Sequence, residues 1–139
     1  MDNHVHQLMT PPDVGAVARL MQKLGRAYVS QFNARHRRTG TLREGRYKAC
    51  LVDSENYVLH CHRYIDLNPV RARMTDDPAA YPWSNCPSHC GHRADAILTP
   101  HPTYAALGVT PEARAEAHRH LLHETLSDDD LTAIRSRWR

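Results

Sequence analysis

Ser54-Glu55-Asn56-Tyr57-Val58-Leu59-His60-Cys61-His62-Arg63-Tyr64-Ile65-Asp66-Leu67-Asn68-Pro69 carries the pattern on which the reading of this chain turns. Tyr57, Cys61, Tyr64 and Asn68 are spaced four, three and four apart, so they share one face of a helix. Asp53 or Ser54 can cap its start. Pro69 sets its end near Leu67, because the residue before a proline is pushed out of the α region. Tyr57, Cys61 and Ile65 read as core packing. Tyr64 has a different neighbour: Asn68, one turn on, offers an amide oxygen that can ligate a hard cation. Val70 to Met74 reads as a short continuation.

Upstream of this helix, Tyr47, Ala49 and Leu51 alternate with Arg46, Lys48 and Cys50, the period of a strand over Arg46 to Val52. Residues 3 to 9 alternate in the same way. As a strand they place His4 and His6 on one face, about 7 Å apart at their Cα atoms, where two neutral imidazoles can chelate one divalent cation. Between the two strands, Asp13 caps a helix that runs to about Arg35. Its apolar residues, Val14, Val17, Leu20, Met21, Leu24, Tyr28 and Phe32, fall at spacings of three and four.

Downstream, Asp76 to Ser84 is rich in turn residues, and Cys86 to Pro102 reads as a linker. Cys86, His89, Cys90 and His92 offer zinc-binding side chains, but their spacing is not that of a zinc knuckle. Pro111 to about Leu122 and Asp128 to Arg137 read as two short helices, with His118, His120 and His123 on a solvated face. The organisation expected is a domain over 1–85, a linker over 86–102 and a helical appendage over 103–139.

The length of 139 residues fits one domain. No apolar run is long enough to cross a membrane, and the first residues lack the features of a signal peptide, which points to the cytoplasm. The net charge of +3 hides an asymmetry. Arg19 to Lys48 holds nine Lys/Arg against the one acid Glu44, whereas Thr103 to Arg139 holds five Arg against six acids. A local basic field of this kind faces a polyanion. Arg35, Arg37, Arg38, Arg43, Arg46 and Lys48 are the candidate DNA-binding residues.

Taken in order, four segments resemble one family. They are Asn3-His4-Val5-His6, Gly40-Thr41-Leu42-Arg43-Glu44-Gly45-Arg46-Tyr47-Lys48, Leu51-Val52-Asp53-Ser54 and Arg63-Tyr64-Ile65-Asp66-Leu67-Asn68-Pro69-Val70-Arg71-Ala72. The family is that of the REP-associated tyrosine transposases, in the HUH single-tyrosine transposase superfamily, and Tyr81-Pro82-Trp83-Ser84 also fits. The resemblance implies an α+β, ferredoxin-like HUH fold, an antiparallel sheet covered by helices, with small C-terminal helices added. Family members carry further sheet elements ahead of the His-x-His strand, so the sheet is expected to be incomplete at its N-terminus. Its open edge would invite a second copy of the chain, a homodimer.

The resemblance also implies roles. His4 and His6 would hold Mg²⁺ or Mn²⁺, with Asn68 as third ligand, and Tyr64 would be the nucleophile. The activity implied is a DNA strand transferase that cleaves and rejoins single-stranded DNA near hairpins through a 5′-phosphotyrosine link. The alternative is a truncated remnant that binds DNA without cleaving it.

Overall fold

The computed structural model describes residues 4–42, 46–124 and 126–137. The chain divides into two compact units, Met9–Ala49 and a second made of Met1–Leu8 with Cys50–Arg139. The first holds one long helix, α1 (Ala16–His36). Gly15 precedes it with φ of 86°, a left-handed conformation that costs glycine nothing, and Asp13 pairs with Arg19 across the first turn. At the other end Arg37 turns left-handed and its N–H closes onto the Asn33 carbonyl. The Asn33 amide also donates to the Gly40 carbonyl at 2.8 Å, which folds the basic turn back on the helix end.

The second unit contains α2 (Glu55–Asp66), α3 (Asn68–Arg71), a 3₁₀ turn (Pro78–Ala80), α4 (Cys86–His89), α5 (Pro102–Ala105), α6 (Pro111–His123) and α7 (Asp128–Ser136). Each start has a local cause. The Ser54 hydroxyl accepts from the Tyr57 N–H and opens α2. Thr110 accepts from the Ala113 N–H ahead of Pro111 in α6. Ser127 and Asp130 form a reciprocal capping box at α7. Gly108 lies against the start of α6, where a Cβ would stand 2.7 Å from the Arg114 nitrogen, so no larger residue fits there without displacing backbone.

α2 is the central element, packed by α3, α5, α6 and α7, while α4 rests on α6 and the 3₁₀ turn. The buried apolar residues are Val58, Cys61, Cys86, Cys90, Tyr104, Ala115, Leu126 and Ile134. Buried among them are polar groups, Arg63, Asp66, His89 and His118. Arg63 reaches Glu124 at the end of α6, donating to its carbonyl. Residues 86–102, which the sequence suggests as a linker, begin with a helical turn whose Cys86, Pro87 and His89 are buried.

The expected α+β ferredoxin-like sheet is overturned. Among the described residues every regular element is a helix, and neither residues 4–8 nor residues 46–52 form a strand. Alternation alone does not make a strand: its N–H and C=O groups need a laddered neighbour, and its apolar side needs a surface to cover it. Here Val5 is 72% exposed, Leu51 80% and Tyr47 43%, so the alternating apolar residues bury no common face.

Candidate functional site

Tyr64 lies in the last turn of α2, held there by the Ser54 cap at one end and the Asn68-Pro69 junction at the other. The coil ahead of the first proline pair brings the His-x-His segment to it. The His6 ring meets the Tyr64 ring edge to face, with centroids 5.5 Å apart. His4 meets His6 in the same manner at 5.0 Å. The two imidazoles and the phenol thus adjoin in one unit, although the strand expected to carry the histidines is absent.

The electrostatics suit a ligand pair. Burial, and then the neighbouring His4, push the His6 imidazole down to about 4, so it is neutral at physiological pH. Neutral imidazole is the form that binds a metal. The Arg71 guanidinium lies 5.5 Å from the Tyr64 ring centroid and donates to the Tyr64 carbonyl at 3.3 Å. Burial pushes that guanidinium below its ordinary pKa. Arg71 lies one turn beyond Leu67 and was not singled out in the sequence; its signal was the spacing of seven from Tyr64, two helical turns.

Asn68 opens α3, one turn beyond Tyr64. Its Nδ2 is buried and finds no hydrogen-bond partner among the described residues. The two ends of an amide are nearly interchangeable in shape, so the same place accepts an oxygen turned toward a cation. His4 and His6, whose rings adjoin, offer two imidazole donors to a divalent ion, and Asn68 is the third residue that the resemblance implies.

The basic residues belong to the other unit. Arg35, Arg37 and Arg38 are exposed around the end of α1, where Arg38 also lies over the Phe32 ring at 5.9 Å. Arg46 and Lys48 are exposed in the coil that follows. Arg43 lies outside the described residues, as does Asn3 of the His-x-His motif.

A second group was missed by sequence reasoning. His62 and Asp66 are four apart on α2, on the side away from Tyr64. His89 of α4 and His118 of α6 close on them. Asp66 Oδ2 accepts from His118 Nε2 at 2.9 Å and from His89 Nδ1 at 3.1 Å. The Tyr104 hydroxyl donates to the His89 carbonyl at 2.8 Å and fixes α4 from below. Burial raises the Asp66 carboxyl, but the hydrogen bonds from His118 and His89 outweigh it and hold the group below its ordinary pKa. Burial, reinforced by His89, pushes His62 down to about 4. His118 is fully buried, which corrects its placement on a solvated face, whereas His120 and His123 are exposed. The signal was the spacing of three from Ala115, which is also buried. Beside the cluster, Cys86 Sγ and Cys90 Sγ lie 3.8 Å apart. Their shared hydrogen raises the Cys86 pKa and lowers that of Cys90.

Among the described residues no helix is long and apolar enough to cross a membrane. No family model, curated protein or solved structure matches the chain.

Proposed function

We propose that this chain is a metal-dependent strand transferase for single-stranded DNA, with Tyr64 as the nucleophile. The observation that carries the reading is the adjacency of His4, His6 and Tyr64, three residues that the transposase resemblance implies and that come from distant parts of the chain.

In the step proposed, the Tyr64 Oη attacks the phosphorus of a phosphodiester and gives up its proton to solvent. The bond from phosphorus to the 3′-oxygen breaks, and that oxygen leaves as a 3′-hydroxyl after taking a proton. The 5′-phosphate stays on the tyrosine, and attack by a 3′-hydroxyl reverses the step without an external energy source. His4, His6 and Asn68 would hold Mg²⁺ or Mn²⁺, which when bound supplies a Lewis acid to the scissile phosphate. Arg71, whose guanidinium lies 5.5 Å from the Tyr64 ring centroid, would add positive charge near the phenol.

The exposed basic residues of the Met9–Ala49 unit support the choice of DNA as substrate. Arg35, Arg37, Arg38, Arg46 and Lys48 offer cations to a phosphate backbone, the sequence-independent part of nucleic-acid affinity. The test is a covalent adduct between the protein and a labelled hairpin single strand in Mn²⁺, read on a denaturing gel. Binding without an adduct would leave the alternative, a protein that binds DNA without cleaving it.

A further inference from the structure

Three helices aim histidines at one buried carboxylate. Asp66 is 2% exposed, His118 0% and His89 5%. The His62 and His89 ring centroids are 4.9 Å apart, those of His89 and His118 5.1 Å, and those of His62 and His118 6.2 Å. One ligand atom each from His62, Asp66 and His89 lies within 4.8 Å of the others. Two nitrogens of the group, His62 Nε2 and His118 Nδ1, are buried without a hydrogen-bond partner among the described residues. Groups so buried and left unpaired cost free energy, and a polar core that is only partly satisfied is worse than an apolar one. Something beyond the hydrogen bonds at Asp66 must repay the arrangement.

We propose that His62, Asp66, His89 and His118 form a structural zinc site. Three imidazoles and one carboxylate are a donor set for a borderline transition ion, not for Mg²⁺. Around a tetrahedral zinc, neighbouring ligand atoms are about 3.3 Å apart, given bonds of about 2.0–2.1 Å. The Asp66 oxygen stands 2.9 and 3.1 Å from its two histidine nitrogens, close to that spacing. His62, Asp66 and His89 form the close set, and His118, whose Nε2 lies 2.9 Å from Asp66 Oδ2, would supply the fourth ligand; four protein ligands leave no open position, the mark of a structural rather than catalytic site. The ion would tie α2, α4 and α6 together on the side of α2 away from Tyr64, and it is separate from the cation expected at His4 and His6.

The test uses the full chain, dialysed against a weak chelator and analysed for metal, then melted with Zn²⁺, with Mg²⁺ and with EDTA. The expected result is about one zinc per chain, a midpoint that falls in EDTA and returns with Zn²⁺, and no rescue by Mg²⁺. The His4→Ala/His6→Ala double variant keeps its zinc. His62→Ala and His89→Ala each lower zinc retention by about tenfold or more. Should those variants fail to fold, the wild-type melts decide, together with the visible absorption of tetrahedral Co²⁺ in the wild type and in the His4→Ala/His6→Ala variant. A wild-type chain that retains no zinc and melts identically with and without it overturns the proposal. So does zinc that follows His4 and His6 instead of His62 and His89. Either outcome leaves the adduct assay of Tyr64 to stand or fall on its own.

Discussion

His6 packs edge to face on Tyr64, with ring centroids 5.5 Å apart and the planes at 81°. This contact joins an irregular N-terminal segment to the last turn of α2, and His4 extends it at 5.0 Å. It gives the two imidazoles a position relative to the phenol without a sheet to set the register.

Removing either imidazole should therefore be costly to metal affinity. His4→Ala and His6→Ala are each expected to weaken Mn²⁺ binding by about tenfold to a hundredfold, because one imidazole cannot chelate. Calorimetric titration of both variants measures this. Unchanged Mn²⁺ affinity in His6→Ala would mean that the pair serves only to pack against Tyr64.

The basic turn after α1 makes a prediction about salt. Each phosphate contact to a single strand contributes about 0.7 to the slope of log affinity against log salt. Arg37 and Arg38 are exposed, so changing both to Ala should flatten the slope by roughly 1.4. Fluorescence anisotropy with a labelled single strand over a salt series gives the slope. A slope equal to that of the wild type would remove these two residues from the DNA surface.

Acid should destabilise the metal-free chain in a defined window. Burial, helped by His89, holds His62 at about 4, and burial with His4 beside it does the same to His6. The unfolded chain takes up these protons near the ordinary value of about 6.5, before the folded chain does. Stability is thus complete above about pH 6.5 and falls as pH drops toward 4, by at most ~1.4 kcal/mol per pH unit from His62. Asp66, whose pKa is depressed, adds a further loss as pH falls through the carboxylate range below that. Urea melts in EDTA at successive pH values follow the change. A midpoint that is constant from pH 7 to pH 4.5 would contradict the burial of the neutral imidazoles.

Packing of the C-terminal helix can be tested at one residue. Ile134 is 1% exposed on α7, which packs against α2. Ile134→Ala should cost about 2–4 kcal/mol, the range for removing a large aliphatic side chain from a core. Ser127→Ala, which removes half of the capping box, should cost about 1 kcal/mol. Equal stability of Ile134→Ala and wild type by chemical denaturation would place α7 outside the core.

The features legible in the sequence are those with local causes. Ser54, Thr110 and Ser127 each cap a helix through a side chain three residues from its partner, so α2, α6 and α7 begin where the sequence suggests. Pro69 likewise marks the end of α2. The expected strands fail because alternation at Tyr47 and Leu51 says nothing of whether a partner exists, and both side chains remain exposed. The Tyr64 and His-x-His residues could be named from their motif, but the contact between them depends on chain separations no local pattern encodes. The histidine cluster was hidden for the same reason. His89 falls in a stretch punctuated by Cys, Pro and Gly, and His118 is one of three histidines whose neighbours are charged. Only the convergence of α4 and α6 on Asp66 separates it from exposed His120 and His123.

The proposed strand transfer depends on the hydroxyl of Tyr64, which Tyr64→Phe removes with little other change. Wild-type protein and Tyr64→Phe are incubated with a 5′- or 3′-labelled hairpin single strand and Mn²⁺, and covalent adducts are separated on a denaturing gel. The expected result is an adduct that retains the label on the 5′-phosphate side of the cut, is absent without Mn²⁺, and is abolished in Tyr64→Phe while DNA binding stays within about twofold, since only one hydroxyl is lost. An adduct of undiminished yield in Tyr64→Phe, or a wild-type chain that binds the strand and never cleaves it, would contradict it.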